Sequence, residues 1–308
     1  MSLFNNNLMM GAAGASGGGG GGGDFDPTNI GNSIWFNGSS SKLANTPSAG
    51  DRTRWTLAWW FQLNAIATEM YFFSANTGTN EFKIGMDANS SSSITVIDDN
   101  ASMNINTTPV QRDVGWYHCI VSYDSNQTVE SDRIRIYLNG IQQNLTEGSA
   151  GYPSSGGETF WNNNQSNEIG VRSRTSSNFF KGYMAQVLFL NGDSIQNGDI
   201  AVTDILDTIT YGTNGSQSSP KKDSDITALA DTAGGNSFCL DFSNGASPGL
   251  DSSTNTNNFT ATDIGTDNQS SNTPSKVYPI INPLTKIGSA ASTLEEGNTK
   301  ATVNDNGG

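Results

Sequence analysis

Apolar and polar positions alternate most clearly between Trp116 and Gly140, where the chain reads WYHCIVSYDSNQTVESDRIRIYLNG. From Asp132 to Asn139, Ile134, Ile136 and Leu138 fall on one face, and Arg133, Arg135, Tyr137 and Asn139 on the other. This is the period of a half-buried strand. Tyr117 to Tyr123 is apolar or aromatic at nearly every position, with β-branched Ile120 and Val121, and predicts a strand covered on both faces. Asn139-Gly140 offers the positive φ angles of a tight turn into a short strand from Ile141.

The same reading places strands at Ser33–Phe36, Lys42–Ala44, Trp55–Leu63, Met70–Ala75, Phe82–Asp87, Ile94–Ile97, Ile169–Arg172, Tyr183–Leu190 and Phe238–Phe242. Turn residues recur at short intervals between them, as in β-sandwiches. Tyr152–Asn167 reads as a long polar loop holding the pair Phe160-Trp161. The best helical candidate is a short turn near Val202–Leu206, and Gly212–Gly235 reads as loop. Beyond Thr262 periodicity fades, and Pro274, Pro279 and Pro283 exclude central strands. The segment Lys276–Leu284 is expected to clip along the domain or a neighbouring subunit. The final residues, 298–308, are expected to be mobile or to need a partner.

The first 23 residues stand apart: a glycine run, Gly17–Gly23, follows a small apolar patch of Leu3, Phe4, Leu8, Met9 and Met10. Such a run favours neither helix nor strand. The patch is too small to offset its own ordering entropy, so it is read either as a free tail or as an anchor that orders on a partner. The expected organisation is therefore a tether over 1–23, an all-β domain over 24–262 and an irregular extension over 263–308.

Composition narrows the function. The formal net charge is −14, with 15 Lys and Arg against 29 Asp and Glu. Nucleic acid and anionic membrane surfaces are disfavoured as partners, because both rest on cations meeting phosphates. No run approaches the length of a membrane helix, and the weak apolar stretch at 8–15 has no basic residue before it, so no secretory signal is expected. Cys119 and Cys239, the two cysteines, sit in apolar strand patterns and are expected as buried thiols rather than a disulfide.

Several stretches together resemble the concanavalin A-like (laminin G-like) jelly roll, in the version found in virion proteins of tailed phages. They are Ser33–Leu43, Thr53–Leu63, Trp116–Tyr123, Arg133–Gly140 (RIRIYLNG), Glu168–Ser173, Phe180–Asn191 (FKGYMAQVLFLN after Phe179) and Ser237–Phe259. The resemblance spans roughly residues 30–260. It implies an all-β jelly-roll sandwich and a virion setting, with the N-terminal segment docking on other virion proteins and the chain forming a homo-oligomer, expected as a trimer. It also implies calcium. The family's loop of the form D-x-S-G-N-G-N-N is here Asp251-Ser252-Ser253-Thr254-Asn255-Thr256-Asn257-Asn258, with threonines at the two glycine positions. Asp241, Asp251 and Asn255 are the candidate ligands, a hard cation needing several oxygens; the same residues also suit a polar turn.

Catalysis finds little support in the residues. No Glu-x-Asp-x-x-Glu strand brings paired carboxylates to one cleft, as glycoside hydrolysis requires. His118 is the single histidine and lies inside a strand pattern, which favours a sheet or core role over a triad or metal site. For sugar binding, Tyr152 and Trp161 beside Asn162 form the candidate cluster; the competing reading closes Phe160-Trp161 over the core. The expectation is a non-enzymatic virion structural or appendage protein displaying a lectin-like domain, possible glycan ligands lying on the host surface. The alternatives are a freestanding adhesin or lectin, and a polysaccharide-degrading enzyme.

Overall fold

The computed structural model of the chain describes residues 28–64, 69–87, 93–108, 115–210, 216–276, 292–295 and 300–303. The expected anchor residues Leu3, Phe4, Leu8, Met9 and Met10, the glycine run and the stretch 277–284 lie outside them.

Two eight-stranded antiparallel sheets face one another. The first runs Ile141–Gln142, Ile134–Leu138, Trp116–Asp124, Arg54–Leu63, Lys181–Asn191, Ser33–Asn37 and Gln269–Ser270, with Phe238–Leu240 also paired to Lys181–Asn191. The second runs Leu145–Gly151, Met103–Thr107, Ser93–Asp98, Glu81–Asp87, Met70–Asn76, Asn167–Ile169, Lys42–Asn45 and Thr260–Thr262. This is the expected jelly-roll sandwich. Between the sheets lies an aromatic core: Trp55, Trp59, Phe61, Phe72, Phe73, Phe82 and Phe189 are essentially inaccessible. Each such side chain contributes about 1.5–3 kcal/mol by leaving water.

Arg54–Leu63 and Trp116–Asp124 are buried at nearly every position because the first sheet has a second apolar layer on its outer side. There, Ala58, Ile120, Tyr137, Leu188 and Leu190 pack against Ile200, Ile205, Ile226 and Ala230. The last two belong to a helix, Asp223–Thr232, within the stretch expected to be loop. Its apolar positions at 226, 229 and 230 have helical spacing, but the surrounding Asp, Ser and Thr mask it. The short helix Val202–Ile205 matches expectation.

One extra residue interrupts the Lys181–Asn191 strand: Ala185 pairs with Trp60 and Leu188 with Ala58. The bulge turns Gln186, at φ 46°, towards the helix, where its amide donates to Lys221 O at 3.0 Å and Asp223 Oδ1 at 2.9 Å. Asp223 Oδ2 accepts the Gly31 amide at 3.1 Å, so the entering chain, bulge and helix share one carboxylate. Burial pushes that carboxyl up to about 6.

The domain also extends further than Thr262. Gln269–Ser270 pairs with Ser33–Ile34, and Ile30 is held by Ser275 Oγ and Thr273 Oγ1 at 2.9 and 3.0 Å. Residues 263–276 are thus part of the sandwich although they carry no period-2 pattern, because side-chain hydroxyls rather than apolar alternation fasten them. Ser292–Glu295 and Lys300–Val303, the latter inside the stretch expected to be mobile, form a two-stranded sheet of their own. The Asn139-Gly140 turn has the expected left-handed pair, φ 49° and 76°.

Candidate functional site

The outer face of the second sheet is dressed differently from that of the first. Along Glu81–Asp87, the apolar Phe82, Ile84 and Met86 point to the core, which sends Glu81 and Lys83 outward. Opposite them, Ser74 pairs with Lys83 and with Glu168. A hairpin after Gly170 returns over this face, joined by the bridges Tyr71–Phe179 and Arg172–Ser177.

These strands assemble an ionic cluster that sequence spacing alone did not show. Glu81 accepts Lys83 Nζ at 2.5 Å and the Arg172 fork, Nε at 2.9 Å and the terminal nitrogen at 2.5 Å. Burial raises the Glu81 carboxyl, but the bonds from Arg172 and Lys83 outweigh it and hold it below its ordinary value. Tyr71 lies beneath both cations, 5.4 Å from Lys83 and 6.0 Å from Arg172, and its hydroxyl bonds Glu69. Burial and Glu69 push the phenol far up. A carboxylate held ionised by two cations is no proton donor, so Glu81 lacks the raised pKa of a glycosidase acid.

Beside this cluster two buried polar atoms have no partner. Glu168 binds Lys42 Nζ through Oε1 at 3.2 Å while its Oε2 is unpaired, and Ser173 donates its backbone amide to Ser74 Oγ at 2.9 Å while its own Oγ is unpaired. Both flank Ser74, whose hydroxyl donates to Val171 O at 2.7 Å. Unsatisfied buried oxygens are uncommon and point to something that completes them.

The residues singled out from the sequence lie elsewhere. Trp161 is fully buried against Phe73, Phe82 and Phe189, with ring centroids 5.6–6.0 Å away, so it is a core residue and not a sugar platform. Asn162 is likewise buried, at φ 63°, donating to Asp51 O at 2.9 Å and Asn191 Oδ1 at 2.6 Å. Its amide ties two loops together. The buried carboxyl of Asp98 anchors this loop by accepting Phe160 N at 2.7 Å, and burial pushes it up to about 7. Tyr152 is half-buried against the edge of the main core.

The proposed calcium ligands do not converge as an oxygen cage. Asp251 accepts the amides of Cys239, Ser253 and Asn257 and the Ser253 hydroxyl, at 2.8–3.0 Å. Asn255 presents its NH2 group to the carbonyls of Ala230 and Ser237, and Asp241 accepts the Ser243 amide in its own turn. Among the described residues no three acidic, histidine or cysteine side chains are grouped for a metal. The loop is a hydrogen-bonded polar turn, closed by N–H groups that a cation would have to displace.

His118 is buried on the outer side of the first sheet, 4.8 Å from Trp60, and burial lowers its imidazole to about 3. It is a sheet histidine, as expected. Both cysteines are buried free thiols, again as expected.

The family model described as the Concanavalin A-like lectin/glucanases superfamily (Laminin_G_3) matches residues 36–200. The chain belongs to this family. The matched residues include Glu81, Lys83, Glu168 and Arg172. Among solved structures, the chain is similar to the native heptameric SAP-like pentraxin from Limulus polyphemus, with 14% identity over 58% of this chain and 82% of that one at a TM-score of 0.40. A putative carbohydrate binding protein from Bacteroides ovatus has 15% identity over 62% and 58% of the two chains at 0.38. The Ruminococcus gnavus IT-sialidase CBM40 bound to alpha2,3 sialyllactose has 14% identity over 56% and 97% at 0.37. No curated protein matches the chain.

Proposed function

We propose that this chain is a non-enzymatic glycan-binding protein, displayed as a fibre, knob or decoration on a tailed-phage virion, and that the outer face of its second sheet takes the glycan. The observation that carries the binding reading is the unpaired pair Glu168 Oε2 and Ser173 Oγ. The carboxylate oxygen can accept from a sugar hydroxyl and the serine hydroxyl can donate to a sugar oxygen, each gaining the partner it lacks. Lys42 and the Glu81–Arg172–Lys83 cluster hold the surrounding side chains in place before a ligand arrives. The virion setting is supported by the sequence resemblance and by the glycine tether that precedes the domain. Attachment through residues 1–23 and oligomerisation would multiply weak single-site affinity by avidity.

Binding is tested by presenting the purified chain to an array of bacterial and algal surface glycans. Retention that falls at least about tenfold in Glu168→Gln, with an unchanged melt, supports the site; retention indifferent to Glu168 moves binding off this face. Release of reducing ends that a single Asp or Glu substitution abolishes would establish an enzyme instead. For attachment, a chain starting at Asp24 is expected to melt cooperatively yet be missing from purified virions, as read by mass spectrometry.

A further inference from the structure

We propose that the outer face of the first sheet carries a second glycan surface, independent of Glu168, that takes a neutral oligosaccharide lying across the strands. Four adjacent strands each contribute one side chain to a row. Trp35 pairs with Tyr183, Tyr183 with Gln62, and Gln62 with Trp116. The neighbours of Trp35, Ile34 and Phe36, point into the main core, so Trp35 points outward, and the other three follow from the register. At about 4.8 Å between strands the row is roughly 14 Å long.

The rings are close and fixed. Trp35 and Tyr183 centroids are 4.8 Å apart, and Tyr183 and Trp116 6.4 Å. Asn272 ties the row together, accepting Trp116 Nε1 at 3.3 Å and donating to Gln62 Oε1 at 2.7 Å. All three rings are half-buried. Further along the same strands, Leu188, Leu190 and Ala58 are covered by the helix Asp223–Thr232. One position along that face, Trp60 Nε1 and His118 Nδ1 are buried without partners, so this side of the sheet also holds unsatisfied polar atoms.

The chemistry of the row selects the ligand class. Three half-buried aromatic rings stand beside the half-buried Asn272 amide, with Gln62 buried between them, which suits a molecule with apolar C–H faces and hydroxyl edges. None of Trp35, Tyr183, Gln62, Trp116 and Asn272 carries a charge at neutral pH, and the chain's net charge of −14 repels polyanions. A sugar ring is about as wide as one strand spacing, so successive units fall on successive side chains. An extended peptide finds no free main-chain edge here, because the row crosses paired strands in mid-sheet.

The test is calorimetric titration of the full chain with neutral oligosaccharides (cello-, laminari-, xylo- and manno-series) and oligogalacturonate as the anionic control. We expect a neutral probe to bind with quenching of tryptophan fluorescence. Trp35→Ala should weaken that binding about tenfold, Trp35→Phe should restore most of it, and Glu168→Gln should leave it unchanged. Matching melting curves separate lost contact from lost fold. Binding lost in Glu168→Gln but kept in Trp35→Ala overturns this surface and leaves the first reading standing; the reverse result supports this surface, and the first reading then stands or falls on the array retention of Glu168→Gln. Failure of every neutral probe to bind, or preference for oligogalacturonate, overturns the proposal.

Discussion

The two outer faces of the sandwich have opposite character although both are made by alternating strands. On the first sheet, outward residues include Ala58, Ile120, Leu188 and Leu190, and a helix seals them. On the second, outward residues include Lys42, Glu81, Lys83 and Glu168, and a short hairpin reaches over them. A jelly roll needs one core; the first sheet builds two. The difference separates a face sealed by apolar packing from one dressed with paired charges, and the aromatic row with Trp35 lies beyond the helix that covers the first.

The largest test of that contrast is Ile226→Asp, which places a carboxylate between helix and first sheet. It should cost more than about 4 kcal/mol in denaturant unfolding, whereas Thr260→Ala, on the exposed edge strand of the second sheet, should change stability by less than about 0.5 kcal/mol. Equal losses would mean that the second apolar layer is not a core.

Acid should also act through the first face. His118 has its imidazole lowered from 6.5 to about 3, so the neutral form belongs to the fold; its share of stability is complete above 6.5 and is lost as pH falls towards 3. Asp98, raised from 3.8 to about 7, has the opposite sign: its share is complete below 3.8 and is lost as pH rises to 7. Replacing His118 by Gln should therefore reveal a fold that gains stability on acidification from pH 6.5 to 4, read by chemical denaturation at several pH values. No change of slope would remove His118 from the account.

On the second face, Glu81→Ala strands Arg172 and Lys83 and should cost about 3 kcal/mol, while Glu81→Gln keeps part of the hydrogen bonding and costs less. Because the folded Glu81 carboxyl lies below its ordinary 4.5, its contribution is present above that value and is lost as pH falls beneath it. The smallest effect concerns the Asp251 turn. Chelator should leave the melting temperature unchanged, whereas Asp251→Ala should lower it with or without chelator, since four donors lose their acceptor. A chelator effect that Asp251→Ala abolishes would restore the calcium reading.

Strands with strong local patterns were legible from residues alone: Ile134–Leu138 by its alternation, Arg54–Leu63 by its aromatic density, and the Asn139-Gly140 turn by its demand for positive φ. Met103–Thr107 and Leu145–Gly151 escaped, because Asn, Thr and Gly dominate them and their pairing partners supply the order. Trp161 left two readings open for a related reason, and the one that closes Phe160-Trp161 over the core holds. A polar loop flanks it, and only the packing of Phe73, Phe82 and Phe189 from three strands shows where its ring goes. Trp35 was readable in principle, since it stands at an outward position between Ile34 and Phe36.

The sequence by itself determined the class of the fold, the position of its best strands, the family and the thiol state, because each depends on neighbours within a few residues or on a motif carried intact. Which polar residues meet was decided only in three dimensions. Glu81 and Arg172 are 91 positions apart, Lys42 and Glu168 are 126, and Gln62 and Asn272 are 210. In a sheet protein such pairs are brought together by strand order and register, which depend on the whole set of pairings and leave no trace in the spacing of any one segment.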